Sequence, residues 1–200
     1  MKRAFAAIFS IAAMVFFMAG CSSVRLVDSD VTAFSHWSAA PPGPGTAYRF
    51  ERLPSQQAAG AQQDLVEGLT RTALAKVGME LNPPVARYSV QVIANTLVIE
   101  RLYDDGWGFA GPGVFMAGGN RGASVGLSIP MRLPESYFKR ELSLLMRDLA
   151  SNQVVFETRA LHDGVWRDTL AVLPAMLDAA LSGFPQPPPG TRRINVEIPR

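Results

Sequence analysis

Residues 137–161, "YFKRELSLLMRDLASNQVVFETRAL", decide the fold. Leu142, Leu144 and Met146 stand at every second position, the period of a strand with one buried face. Asp148 to Asn152 supply turn residues, and Val154 opens a returning run. The stretch predicts an antiparallel hairpin, around which the rest of the chain has to be arranged.

Working outward, four other segments predict strands. "VRLVDSDVTAFSHW" (24–37) alternates imperfectly, with Arg25, Val27 and Ser29 set against Leu26 and Asp28. "TAYRFERL" (46–53) sets Tyr48 and Phe50 against Arg49 and Glu51, and "ARYSVQVIANTLVIERLY" (86–103) alternates through Tyr88, Val90, Val92 and Ala94 as one long strand or a bent pair. "RRINVEIP" (192–199) closes the chain with Ile194, Val196 and Ile198. A further strand is expected at "LSIPMRL" (127–133). Two segments carry the helical period instead. From Ser55 to Gly78 the stripe is Leu65, Val66, Leu69, Ala73 and Val77, with Gly78 as C-cap. From Trp166 to Leu181 it is Trp166, Leu170, Leu173, Leu177 and Ala180, kinked or started late because of Pro174. The order β-β-α-β-β-β-β-α-β predicts an α+β fold, a mixed sheet with two amphipathic helices on one face.

The single cysteine, Cys21, lies in "FFMAGCSS" (16–23). One thiol makes no intramolecular disulfide and no metal cluster. Lys2 and Arg3 precede an apolar run from Ala4 to Phe17, and the small residues Ala19 and Gly20 come just before the cysteine. That is the layout of a secretory signal. The competing readings are an ordinary signal peptide with an incidental cysteine, or a membrane helix, for which the run is short. Met18-Ala19-Gly20-Cys21 resembles the lipobox of bacterial lipoproteins, with Met18 where leucine is usual. The resemblance implies cleavage before Cys21 and acylation of its sulfur and amino group. Ser22 after the cysteine, in place of aspartate, resembles the sorting pattern of cargo sent to the outer membrane. The expected organisation is a signal peptide over 1–20, a lipidated N-terminus and short tether over 21–23, and one domain over 24–200.

Composition bounds the partners. The chain has 200 residues with 19 Lys plus Arg and 17 Asp plus Glu, and loss of Lys2 and Arg3 with the signal brings the two counts level. A neutral balance gives no electrostatic case for nucleic acid. The length left suits one domain burying about 70% of its unfolded surface.

"LVEGLTRTALAKVGMEL", "ARYSVQV", a Gly/Trp-rich insert, "LSLLMRDLASNQVVFETRA" and "AMLDAALSGFP" together resemble the bacterial lipoprotein family carrying domain of unknown function 4136. The pattern covers most of residues 24–184. That resemblance implies a lipoprotein without an assigned reaction. The order of elements is more distantly similar to penicillin-binding-protein activator lipoproteins and the curli secretion lipoprotein.

Literal catalytic patterns lack their structural context. "GWGFAG" (Gly106 to Gly111) fits a dinucleotide turn, but Pro112 and Gly113 follow where a helix must begin. "GASVG" places Ser124 in a nucleophile-elbow pattern, yet a glycine-rich loop precedes it and a strand is expected after it. The histidines are His36 and His162. His162 and Asp163 would make a base with its orienting acid, but sequence neighbours on a strand point apart, and turn residues are the expected identity of both. Asp104 and Asp105 are expected in a solvated turn rather than a calcium site. No cofactor, metal or small-molecule substrate is expected.

Residues 104–126, glycine-rich and without helical or strand period, are expected to form a long loop. Trp107, Phe109, Phe115 and Met116 are interleaved there, side chains that are costly to expose unless they fold back or meet a partner. They are the candidate partner-binding residues, and Cys21 the candidate lipidation site. The functional expectation is a lipid-anchored protein on the periplasmic face of the outer membrane, a non-catalytic binding or envelope-assembly module with an envelope protein as partner. A regulator of a cell-wall synthase is the alternative, and a serine hydrolase using Ser124 the more remote one.

Overall fold

A computed structural model describes residues 24–37, 40–101, 113–119, 122–128 and 135–199. The strands are β1 (Val24–Ser35), β2 (Thr46–Phe50), β3 (Met79–Leu81), β4 (Tyr88–Arg101), β5 (Gly113–Gly119), β6 (Gly122–Ser128), β7 (Glu135–Asp148), β8 (Val154–Gly164) and β9 (Thr191–Pro199). The helices are α1 (Pro54–Ala58), α2 (Ala61–Lys76) and α3 (Thr169–Ala180), with a 3₁₀ turn at Pro83–Val85. Seven strands form one sheet in the order β3-β2-β4-β7-β8-β1-β9. Parallel β3-β2-β4 pairs join antiparallel ones, so the sheet is mixed and the fold α+β.

The β7–β8 hairpin stands where its alternation predicts, at the sheet centre. Leu142, Leu144 and Met146 are fully buried. At the turn Asn152 takes φ 58°, and Asp148 Oδ1 accepts from the backbone N–H of Ala150 at 2.8 Å. The alternation of "ARYSVQVIANTLVIERLY" resolves to one long strand, β4.

Both long helices cover the same sheet face. Val66, Ala73 and Leu74 of α2 join Val172, Met176 and Leu177 of α3 over Val27, Val31, Val90 and Leu144 in one apolar core. Lys76 of α2 pairs with Asp178 of α3 at 2.7 Å. At one end of the core Trp37 stacks on Phe156, meets Tyr88 and Phe184 edge-on, and donates from Nε1 to the Pro185 carbonyl.

Several expectations are corrected. The helix expected over Ser55 to Gly78 is two helices, broken at Gly60, whose φ of 45° is a conformation open to glycine. Its C-terminus stands as expected, with Gly78 at φ 86° just past the Val77 cap. The apolar stripe of α2 stands at Val66, Leu69, Ala73 and Val77, but Leu65 is exposed, and the buried face extends to Gln63, Glu67 and Thr70 instead. The cause lies in the sheet. Strand β2 ends at Phe50, so beyond Val90 one edge of β4 has no strand beside it, and the Val92 carbonyl there must find other donors. Gln56 Nε2 supplies one at 2.7 Å and Gln63 Nε2 another at 3.3 Å.

Helix α3 begins at Thr169, capped by Asp168, whose Oδ1 accepts from the Ala171 N–H at 3.1 Å. Trp166 therefore precedes the helix, Leu170 is exposed, and Pro174 stands inside it rather than delaying its start. The segment 104–126 is not all loop: β5 and β6 form a two-stranded antiparallel sheet of their own. Of the strand expected at "LSIPMRL", Leu127 and Ser128 fall in β6, and 129–133 lie outside the described residues.

Candidate functional site

The inward face of β7 does not stop being buried where its apolar residues stop. The period that buries Leu142, Leu144 and Met146 carries on to Arg140, which is completely buried. In the paired strands His162 of β8 lies opposite Arg140, and one step of the Asp30–Leu161 register brings Ser29 of β1 opposite His162. Three neighbouring strands thus place a guanidinium, an imidazole and a hydroxyl in one row beneath the start of α3, all of them buried.

The guanidinium is held by the connection that leads into α3. Arg140 Nε donates to Thr169 Oγ1 at 3.1 Å and Nη2 to the Trp166 carbonyl at 2.5 Å. Burial pushes its pKa below the ordinary guanidinium value, and the negative charge of Asp168 acts the other way. Its face lies 5.2 Å from the Phe138 ring centroid. Two inward-facing rows further out, Arg25 of β1 stacks over Trp166 at 4.6 Å.

His162 Nδ1 is 2.6 Å from the Asp28 carbonyl oxygen. A carbonyl only accepts, so Nδ1 carries a proton and donates it there. Nε2 faces the backbone: a Cβ added at Gly164 would lie 3.0 Å from it, a tight approach that glycine avoids. Among the described residues, Nε2, Arg140 Nη1 and Ser29 Oγ have no hydrogen-bond partner. Chemically the row is a clamp. It ties β1, β7 and β8 to the start of α3, and its imidazole is closed to solvent.

His162 and Asp163 lie within β8, not in a turn, which corrects the expectation. They do point apart: His162 is buried on the helix side, and Asp163 is exposed on the other face. His36 is exposed after β1. Ser124 lies inside β6 opposite Ala117, and the strand runs on to Ser128 where an elbow needs a helix. Phe115 and Met116 belong to β5, paired with Gly126 and Val125. Cys21, Trp107, Phe109, the acidic pair Asp104 and Asp105, and Gly106 to Gly111 lie outside the described residues. The buried arginine was readable in principle, since extending the period of Leu142 by one step reaches it.

Topology gathers the remaining elements at one end of the sheet. There β1 starts at Val24, and the last pair of β4 and β7 is Arg101 with Glu135. Segment 102–134 therefore leaves and rejoins the sheet at the end where β1 begins. Among the described residues no helix is long and apolar enough to cross a membrane, and no group of three metal-ligating side chains gathers.

Among solved structures, the chain is similar to a PDZ domain protein from Parabacteroides distasonis, at 8% identity and TM-score 0.50 over 92% of this chain. It spans 41% of that protein's length, and the likeness concerns the fold alone. Two PelC dodecamer structures from Paraburkholderia phytofirmans are similar at 13% and 12% identity, with TM-scores 0.43 and 0.42. They cover 77% and 80% of this chain, and 95% and 99% of their own. No curated protein matches. The family model that does match is a domain of unknown function (DUF4136), aligned over residues 27–186, from the inward-facing Val27 of β1 to the connection after α3, and the chain belongs to that family.

Proposed function

We propose that this protein is a lipoprotein of the outer membrane, held at its periplasmic face by acylated Cys21, and that its domain binds an envelope partner rather than catalysing a reaction. The observation that carries the reading is the distance from the lipobox to the fold. Ser22 and Ser23 alone separate Cys21 from Val24, which is already paired with Pro199 in the sheet. Three residue steps of extended chain reach about 10 Å, so the domain rests against the membrane that holds its lipid. Stable anchoring takes two acyl chains, and a triacylated cysteine exceeds that.

Binding is favoured over hydrolysis by His162, whose ring is sealed in the clamp, and by the strand that continues through Ser124. The partner surface in this reading is Trp107, Phe109, Phe115 and Met116, in the segment that leaves the sheet beside the anchored end. A partner on the same membrane suits the short tether better than a synthase of the inner membrane.

Substitution of Cys21 by serine tests the anchor. The expected result is an unprocessed precursor without incorporation of labelled palmitate. Undiminished labelling would remove the lipoprotein reading.

A further inference from the structure

The end of the sheet where β1 begins carries an excess of exposed apolar side chains. Register places them there. Val98 of β4 pairs with Phe138 of β7, Phe138 with Gly164 of β8, and Val27 of β1 with Val196 of β9, so one row crosses five strands. At or beyond that row stand Val24, Leu26, Val98 and Val165; Leu97 lies one step inside it, and Leu170 follows in the first turn of α3. Each is about half exposed or more. Arg140 fixes the connection carrying Val165 and Leu170 to this end through Trp166 and Thr169. Ile99, one step beyond the row on β4, is 37% exposed; of the other exposed large apolar residues, Phe34, Val85 and Val154 stand toward the opposite end of the sheet, and Leu53 and Leu65 lie at and on the helices.

Scattered single exposures are ordinary, whereas a contiguous group marks a contact surface. These side chains protrude from both faces of the sheet edge and from the helix start, so they form a rim across roughly 20 Å of five strands. Nearby, Trp166 is half-buried with the Arg25 guanidinium over its ring, an amphipathic pairing suited to a water–lipid boundary.

We propose that this rim is a membrane-seating surface, which inserts its apolar side chains into the interfacial layer of the bilayer holding the lipid anchor. The inference rests on the lipoprotein reading, since the position of Cys21 brings the rim within about 10 Å of the lipid. Charge around the rim is mixed, with exposed Lys139 and Arg167 against Asp163 and Asp168. Seating is therefore apolar in origin, independent of anionic lipid and weakly sensitive to salt.

The test uses the mature, acylated protein in phosphatidylcholine vesicles. With Cys21 acylated, no other native thiol remains. An environment-sensitive fluorophore on Leu170→Cys, or separately on Val165→Cys, reports the rim, and one on Val85→Cys reports the opposite end. The rim probes should shift to the blue and be quenched by brominated lipid at low and high salt, while the Val85→Cys probe stays unquenched. A combined Leu26→Glu, Val165→Glu, Leu170→Cys variant should lose the quenching yet still float with the vesicles. Unquenched rim probes on protein that floats would overturn the seating and leave the anchor reading standing. Protein that is not acylated and does not float would overturn both. Rim probes shielded in a species that sediments as a dimer, without bromolipid quenching, would assign the rim to a second copy and overturn the proposal.

Discussion

Arg140 Nη2 donates to the backbone carbonyl of Trp166 at 2.5 Å, so a fully buried cation on the central hairpin holds the segment that starts α3. Truncation to alanine opens a cavity and strands the Trp166 carbonyl and Thr169 hydroxyl. Arg140→Ala should cost about 3 kcal/mol in urea unfolding. Arg140→Met keeps most of the volume and removes a charge that burial disfavours, so its loss should be smaller, about 1–2 kcal/mol. Arg140→Lys should not restore the wild-type value, because an ammonium lacks the planar fork that meets both acceptors. Equal stability of Arg140→Ala and wild type would remove the clamp.

What the sequence made legible follows from how strictly each element alternates. In β7 one face is buried along nearly the whole strand, so a period of two survives, even through an arginine. In α2 the buried face includes Gln63, which with Gln56 of α1 serves the carbonyl of Val92, a need created by the early end of β2 and invisible to local periodicity. In α3, apolar residues lie nearly all round, so several stripes fit equally well and periodicity does not separate exposed Leu170 from its buried neighbours. Glycine abundance hid β5 and β6, because strand propensity rests on side chains that pack and glycine offers none. The clamp stayed hidden for a different reason: it is assembled from three strands whose pairing is not local.

The orientation of α2 separates two leucines of equal chemistry. Leu74 is completely buried in the core, and Leu65 is exposed. Leu74→Ala should lower stability by about 2–5 kcal/mol, and Leu65→Ala by no more than about 0.5 kcal/mol. Denaturant midpoints of the two variants settle the orientation, since the reverse order would return the helix to the stripe drawn through Leu65.

Tyr48 sets an alkaline limit. Its hydroxyl is buried and among the described residues has no hydrogen-bond partner, and burial pushes its pKa up to about 12. The folded value lies above the unfolded one of about 10, so the stabilisation is complete below pH ~10 and is lost as pH rises toward 12. Tyr88 is raised by burial as well and contributes in the same direction. Tyr48→Phe removes both the ionisation and an unsatisfied hydroxyl. It should be neutral or stabilising by up to about 1 kcal/mol at pH 7 and should flatten the decline of melting temperature above pH 10. A decline as steep as in the wild type would assign the alkaline sensitivity elsewhere.

The segment between β4 and β7 is where fold and proposed function part company. Its strands β5 and β6 pair with each other in a separate sheet, and the seven-stranded sheet is complete without them. Arg101 and Glu135 are already partners, so a two-residue Asn-Gly turn in place of residues 102–134 would close an ordinary hairpin. Closing a short loop in place of a long one carries little entropic penalty, since loop-closure entropy depends weakly on length. The melting temperature should therefore move by only a few degrees, and the far-ultraviolet circular dichroism should keep its sheet and helix signature. If Trp107, Phe109, Phe115 and Met116 form the partner surface, the same replacement should abolish capture of the envelope partner, while Ser124→Ala and Asp163→Ala leave it intact. A replacement that unfolds the domain would make those aromatics part of its core. A hydrolytic activity lost on Ser124→Ala would replace the binding reading with an enzyme.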